Sequence, residues 1–85
     1  MAENTAKLHV KINSPEKILW EGEAVSVTSA NSKGPFDVLP LHANFVTMID
    51  NQTIYVNTGT EVKEFKWDHC VLYCHKNTLL IFTNL

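Results

Sequence analysis

The sequence predicts an all-β fold, a two-sheet β-sandwich of short antiparallel strands. Several short segments alternate apolar and polar side chains, which is the pattern of strands buried on one face. Turn-forming residues separate these segments at regular intervals. No segment shows helical periodicity over about ten residues or more. Together these observations are typical of a sandwich or a barrel.

The first strand is predicted over residues 7–12, because Leu8, Val10 and Ile12 share one face of an extended chain. The next residues, 13–15, are Asn, Ser and Pro. This combination indicates a turn that ends the strand.

A second strand is predicted over 18–20. We expect a break or bulge at 21–23, where Gly22 stands between two glutamates. The alternation returns over 24–29, and the turn-forming residues at 30–35 predict a loop.

Residues 34–47 divide the chain into two strand-rich parts. Because Pro35 and Pro40 each lack a backbone N–H, this stretch cannot be a regular central strand. We predict a short strand over 36–39, a turn at the second proline and a longer strand over 43–49. A shaped loop on a rigid β scaffold often carries function, so this stretch is the first candidate site.

The second half of the chain continues the pattern. A hairpin turn is predicted at 50–51, before a strand over 53–57. A tight turn over 57–60 follows, in which Gly59 can take a positive φ.

Three more strands complete the predicted fold. The strand over 61–67 needs a bulge near 63–64, because Val62 is out of phase with the aromatic residues that follow it. The last two strands are predicted over 70–75 and 78–83, joined by a turn. Both tryptophans are expected to anchor the core.

The composition indicates one small domain. With 85 residues, 45% of them hydrophobic, the chain can build a single core and is not a disordered protein. We expect a flexible N-terminus over 1–6 and one domain over 7–85. The net charge of −2 gives no basic footprint for nucleic acid. Because no apolar run approaches the ~20 residues that span a bilayer and no signal peptide is present, we expect a soluble, cytoplasmic chain that reaches a membrane only through a partner.

A cluster of cysteines and histidines resembles a metal site at first sight. In a strand, however, Cys70 and Cys74 share one face and lie roughly 13 Å apart. This distance is too long for ligation of one zinc ion or for a disulfide. His69 and His75 point to the opposite face. We therefore expect two reduced thiols that pack as small hydrophobic side chains, with no metal and no cofactor.

The same segment is apolar on both faces of the predicted strand. Cys70, Leu72 and Cys74 lie on one face, and Val71 and Tyr73 lie on the other. Because a small sandwich buries only one face of each sheet, a partner is a candidate for covering the second face.

His42 is the candidate catalytic base of a small hydrolase. It would need an orienting carboxylate, such as Asp37 or Asp50, and a nucleophile, such as Ser26 or Ser32. No spacing marks a nucleophile elbow or a triad order. We expect instead a structural histidine that bonds backbone groups of its own turn.

Two stretches of the chain carry a resemblance to a known family. Residues 34–47 (GPFDVLPLHANFVT) resemble the Gly-x-Phe-Gly-Val-Leu-Pro-Gly-His-Ala-Pro segment of the epsilon subunit of F-type ATP synthases. Residues 8–23 (LHVKINSPEKILWEGE) are similar to that family's opening, which has a strand, Ser/Thr-Pro-Glu and an apolar strand ending in Glu-Gly. The resemblance covers roughly residues 7–84.

The resemblance implies a fold, a role and partners. The fold would be the N-terminal β-sandwich domain of epsilon, which has no catalytic site. It would bind the gamma subunit and sit against the polar loops of the membrane-embedded rotor ring. It would thereby help couple proton flow to ATP synthesis, as a peripheral subunit at the cytoplasmic face of the plasma membrane or at an organellar membrane. The implied ring-facing residues are Lys33, Gly34, Pro35 and Phe36, and the residues implied to lie near gamma are His42, Ala43, Asn44 and Phe45. Pro40 is a further partner-binding residue that the resemblance implies.

The chain departs from the family pattern at several positions. Asp37 and Leu41 replace family glycines, and Asn44 replaces a proline. If the replaced glycines had positive φ, Asp37 would tolerate this conformation and Leu41 would be strained. The family usually continues into a two-helix hairpin, whereas this chain stops at Leu85. We expect either a truncated chain or a short divergent homologue.

A second interpretation needs no ATP synthase. A free-standing β-sandwich could bind other proteins, or form a homodimer through the face that carries Cys70, Leu72 and Cys74.

Overall fold

The computed structural model describes residues 6–83, which form nine β-strands and contain no helix, so none that could cross a membrane. The flexible N-terminus predicted over 1–6 lies outside the described residues, except for Ala6, which is half-buried. The strands are β1 (Leu8–Asn13), β2 (Ile18–Ala24), β3 (Ser26–Asn31), β4 (Gly34–Val38), β5 (Phe45–Asp50), β6 (Thr53–Asn57), β7 (Val62–Lys66), β8 (His69–His75) and β9 (Thr78–Thr83).

The strands form two sheets, as predicted for a β-sandwich. The five-stranded sheet has the order β2-β1-β9-β8-β5, and the four-stranded sheet has the order β4-β3-β6-β7. All pairings described are antiparallel except that of β1 with β9, which is parallel. Alternation along a single strand carries no information on the direction of its neighbour, so the sequence did not predict the parallel pair.

The core lies between the two sheets and is built from alternate positions of their strands. Each large aliphatic side chain buried there stabilises the fold by about 1.5–3 kcal/mol. No buried side-chain N or O atom among residues 6–83 lacks a hydrogen-bond partner. The buried hydrophobic residues are Leu8, Val10, Ile12, Ala24, Val27, Val38, Ile49, Ile54, Val56, Cys70, Leu72, Cys74, Leu79 and Ile81.

Aromatic side chains join the sheets at both sides of the sandwich. On one side, the ring of Trp20 in β2 lies 6.2 Å from that of Phe65 in β7, which stacks on Trp67 at 5.6 Å. On the other side, Phe36 in β4 meets Phe45 in β5 edge-on at 6.0 Å. Both tryptophans pack against the core, as the sequence predicted.

The prediction of a break at 21–23 is wrong, because β2 is continuous. The two glutamates point outward, while Trp20 and Gly22 face the core side. The indole ring lies against Gly22, where an added Cβ would come within 2.8 Å of it. The glycine is therefore needed for space beside the ring. The register shift of this sheet lies instead between Ile12 and Asn13.

Two further predictions about the second half of the chain are wrong. Residues 50–51 do not form a hairpin, because β5 and β6 belong to different sheets and the turn carries the chain between them. No bulge occurs at 63–64, since β6 and β7 pair in a continuous register. Val62 is out of phase with the aromatic residues because its side chain lies on the outer face, where it is 54% exposed.

The loop predicted over 30–35 is shorter than expected. β4 begins at Gly34 and includes Pro35. A proline is tolerated there because β4 is an edge strand, which has one side without a partner. The other predicted strands agree with the observed ones to within about two residues at each end.

We predict that Gly22→Ala destabilises the fold by about 1–3 kcal/mol, since the new methyl group would overlap the Trp20 ring. Urea denaturation measures the change. Glu23→Ala, at the exposed next position, should stay within about 0.5 kcal/mol of the original chain. In a Trp20→Leu background the cost of Gly22→Ala should largely disappear. An unchanged cost in that background would show that the ring is not the obstacle.

Candidate partner-binding surface

The residues predicted to bind partners lie at two ends of the sandwich. Lys33 occupies the tight turn between β3 and β4, whereas the 39–44 loop follows the other end of β4. The five residues of β4 separate these two regions by roughly 16 Å. Of the predicted residues, Lys33, Pro35, Ala43 and Asn44 are exposed, and Gly34, Phe36, Pro40, His42 and Phe45 are half-buried.

The 39–44 loop is tied to the turn between β8 and β9. The N–H of Leu41 donates to Asn77 Oδ1 at 2.6 Å, and the N–H of Lys76 donates to Asn44 Oδ1 at 3.1 Å. Leu41 has a φ of 69°, which confirms the expectation of strain at this replaced glycine. The two departures from the family pattern thus belong to one hydrogen-bonded contact between loops.

Asp37 stands at the other position where the family segment has a glycine, and its φ is not positive. It lies in β4 with its side chain on the outer face, where Thr28 Oγ1 donates to its carboxylate at 2.5 Å. This position therefore accepts a side chain without backbone strain.

His42 has the structural role that the sequence predicted. Its ring Nδ1–H donates to the carbonyl of Ala43 at 2.7 Å, and its backbone N–H donates to the carbonyl of Leu39 at 3.0 Å. The ring also packs 4.8 Å from that of Phe45. Within residues 6–83 it bonds only to backbone, so the hydrolase interpretation has no oriented base.

The two cysteines are free thiols buried in the core. Burial raises the pKa of Cys70 to about 11 and also raises the pKa of Cys74. The homodimer surface predicted at Cys70, Leu72 and Cys74 is therefore wrong, because these side chains are at most 1% exposed. His69 and His75 point outward. No group of three potential metal ligands occurs in the part of the chain that the structure describes.

An exposed apolar surface lies on the opposite side of the same strand. Its side chains come from β5, β8 and β9, and strand pairing places them next to each other. Val46 and Met48 are 59% and 58% exposed. We call this surface the apolar outer face, and it consists of Val46, Met48, Val71, Tyr73, Leu80 and Phe82.

Charged side chains continue the outer face of this sheet beyond the apolar part. β1 contributes His9 and Lys11, and β2 contributes Glu21 and Glu23. His9 Nε2 lies 2.6 Å from Glu21 Oε2. The outer face of this sheet thus has an apolar part on β5, β8 and β9 and a charged part on β1 and β2.

Sequence reasoning found only part of this surface. Val71 and Tyr73 were recognised because their own strand is apolar on both faces. The other four residues were missed because β5, β8 and β9 become neighbours only through the sheet order. Apolar residues in separate strands do not indicate a shared surface until the pairing of the strands is known.

A polar pair of side chains lies at the C-terminal end of β5. His69 Nδ1 lies 2.9 Å from Asp50 Oδ1, and this hydrogen bond raises the pKa of the imidazole, with a smaller contribution from Asp68. Because the protonated form gains the partner, any stabilisation from this pair is present at low pH. It is lost as the pH rises through the raised pKa of His69. Both groups are exposed, so the effect on stability is small.

Comparison with known proteins identifies the family. The family described as the β-sandwich domain of the ATP synthase delta/epsilon chain matches residues 7–84. The chain belongs to this family. The resemblance seen in the two sequence motifs is thus confirmed.

Curated relatives agree with this assignment. An ATP synthase epsilon chain of Leptospira borgpetersenii is 33% identical over 78 residues, which are 92% of this chain and 61% of that protein. One from Caulobacter vibrioides is 37% identical over 60 residues, which are 71% of this chain and 70% of that protein. The chain therefore spans about three fifths of the length of the Leptospira relative.

Solved structures share the fold. A chain in the cryo-EM structure of the Tetrahymena thermophila mitochondrial ATP synthase central stalk and c-ring superposes with a TM-score of 0.77 at 15% identity, covering 91% of this chain and 63% of that one. A chain of the Euglena gracilis mitochondrial ATP synthase gives a TM-score of 0.84 at 13% identity, covering 96% and 53%. At these identities the likeness concerns the fold alone.

We predict that Leu41→Gly stabilises the domain by roughly 0.5–1 kcal/mol, because glycine takes a positive φ without the penalty of about 1–2 kcal/mol borne by leucine. Thermal unfolding measures the change. The matched control is Leu39→Gly, which removes an exposed leucine of the same loop at ordinary φ and should destabilise the domain. If both variants lose stability equally, the strain at Leu41 is absent.

Proposed function

We propose that this chain is the β-sandwich of an ATP synthase epsilon subunit and works in the central stalk of the rotary enzyme. In this role it is not catalytic. It binds the gamma subunit, lies against the rotor ring and helps couple proton flow to ATP synthesis. It is then a peripheral subunit at the cytoplasmic face of the plasma membrane, or at the corresponding organellar membrane.

The apolar outer face carries this proposal. Six apolar side chains lie side by side on one sheet, in a domain whose core is already complete. A contiguous surface of this kind marks a site of protein association. In a central stalk, the gamma subunit is the partner that covers it.

The loop predicted to contact gamma lies beside this surface. The residues from His42 to Phe45 lead directly into β5, whose Val46 and Met48 belong to the apolar outer face. The loop and the face therefore form one continuous binding region. Its loop is ordered before binding by the contact with Asn77, which lowers the entropy lost on association.

The proposed contact with the rotor ring lies at the opposite end of β4. The turn of Ser32 and Lys33 is exposed there, and Asn31 Oδ1 accepts a hydrogen bond from the N–H of Lys33 at 2.9 Å. A basic tip on an ordered turn suits the polar loops of a ring. Under this proposal, gamma and the ring contact separate parts of one domain.

We predict that Val46→Lys weakens binding of the purified gamma subunit about tenfold or more, because an unpaired ammonium group would be buried in an apolar contact. Isothermal titration calorimetry measures the dissociation constant. Val62→Lys is the matched control, since Val62 is a valine of similar exposure on the outer face of the other sheet. Equal losses in both variants would contradict a gamma site on the apolar outer face.

Cysteine crosslinking tests the orientation of the domain in the complex. The two native thiols are buried and have raised pKa values, so they should not react. We predict that Lys33→Cys crosslinks to a rotor-ring subunit and that Ala43→Cys crosslinks to gamma in the assembled enzyme. The exchanged pattern, with position 33 on gamma and position 43 on the ring, would invert the proposed orientation.

A homodimeric binding module outside the ATP synthase is the second candidate function. The same apolar outer face supports it, in place of the buried face considered from the sequence. Light scattering of the isolated chain separates the two candidates. A stable dimer that persists when gamma is added would favour the module. A monomer that binds gamma would favour the epsilon subunit.

A further inference from the structure

The edge of β5 lacks the features that protect the other edges of the sandwich. Edge strands expose unpaired backbone groups and are usually blocked by proline, charge or an inward-pointing charged residue. β4 contains Pro35, β7 turns Lys63 toward the core side, and β2 carries Glu21 and Glu23. β5 is continuously paired on its other side and has no proline and no charge before Asp50. The end of β3 lies near it, where the side chain of Asn31 bonds to Thr47.

The hydrogen-bond pattern shows which backbone groups of β5 are free. The N–H of Asn51 donates to the carbonyl of Asp68 at 2.8 Å, which continues the ladder between β5 and β8. Bonded and non-bonded pairs alternate in an antiparallel ladder. The odd-numbered residues of β5 therefore bond to β8, and the N–H and C=O groups of Val46, Met48 and Asp50 point toward the free edge. No backbone bond on that side occurs among residues 6–83, and the carbonyl of Met48 accepts only a long hydrogen bond of 3.4 Å from Thr47 Oγ1.

We propose that β5 is a strand-pairing site, at which an extended segment of the partner that covers the apolar outer face joins the sheet as a sixth strand. The inference rests on the proposed function and makes its partner contact more specific. Pairing would satisfy the three exposed positions of β5, because a strand offers the same two-residue period. The added strand would carry apolar side chains on the outer side, next to Val46 and Met48.

A cavity beside the free edge fits the inner side of such a strand. It has a volume of about 390 Å³ and contains the polar contact in which Asn31 Nδ2 donates to Thr47 Oγ1 at 2.9 Å. The inner side chain next to Thr47 would therefore be polar. The cavity is lined by Asn31, Ser32, Thr47, Met48, Asp50 and Gln52.

A second copy of this chain is a poorer occupant of the edge. Pairing of β5 with β5 of another copy would join two five-stranded sheets side by side. Their apolar outer faces would then form one larger surface that stays in contact with water. A partner that supplies a strand and also packs on the face satisfies both surfaces at once.

Amide hydrogen exchange tests the proposal on the full chain, labelled with ¹⁵N, with and without the purified gamma subunit of the same organism. We expect exchange at Val46 and Met48 to slow about tenfold or more on binding, as new hydrogen bonds form. The control is the free edge of β7, where the N–H groups of Val62 and Glu64 have the same outward orientation. Exchange at that edge should not change.

The outcomes separate the two proposals. If gamma binds and the β5 amides remain unprotected, strand pairing is wrong while the proposed function stands. If gamma does not bind the chain at all, both proposals fail together. Protection of the β7 edge to the same extent would also overturn strand pairing at β5.

Backbone methylation provides a second measurement that leaves every side chain in place. N-methylation of Met48 in a chemically synthesised chain removes one edge donor and blocks the approach of a strand, without disturbing the ladder to β8. Binding of gamma should weaken about tenfold or more. N-methylation of Glu64 at the β7 edge is the matched control and should leave binding unchanged. Full affinity of the Met48 variant would exclude a paired strand.

Discussion

The position of one sheet over the other depends on the aromatic contacts at the two sides of the sandwich. Trp20 reaches Phe65 on one side only because Gly22 leaves room for its indole ring. On the other side, Phe36 and Phe45 meet across the gap between β4 and β5. The second pair also fixes the start of β5, and with it the loop that precedes it. These aromatic contacts therefore help to determine where the proposed binding region lies.

Hydrogen bonds to a distant turn hold the loop before β5. The family segment that this loop resembles has a glycine and a proline where this chain has Leu41 and Asn44. Here the positive φ is held by the bond from the Leu41 N–H to Asn77, while Asn44 binds the turn in return. The loop is thus held by hydrogen bonds to a turn that is distant in sequence.

Local rules predicted most of the strands, because period-two alternation and turn residues are visible in short windows. They failed where the cause is distant in sequence. Gly22 was interpreted as a break because the ring that lies against it cannot be inferred from spacing. The turn at 50–51 was interpreted as a hairpin because its length does not reveal a change of sheet. Likewise, the family-like segment pointed to the loop of the candidate site. The apolar outer face could be found only once the order of the strands in the sheet was known.

The apolar outer face and the free edge of β5 meet at Val46 and Met48, so one partner can engage both. The two surfaces would resist different movements. Apolar packing opposes separation but allows sliding, because it is not directional. A strand ladder opposes sliding, since a shift by one residue moves every side chain of the added strand to the wrong face. If the chain turns with a central stalk, as proposed, it experiences forces along its contact surface, and a paired strand is the element that would keep it in register.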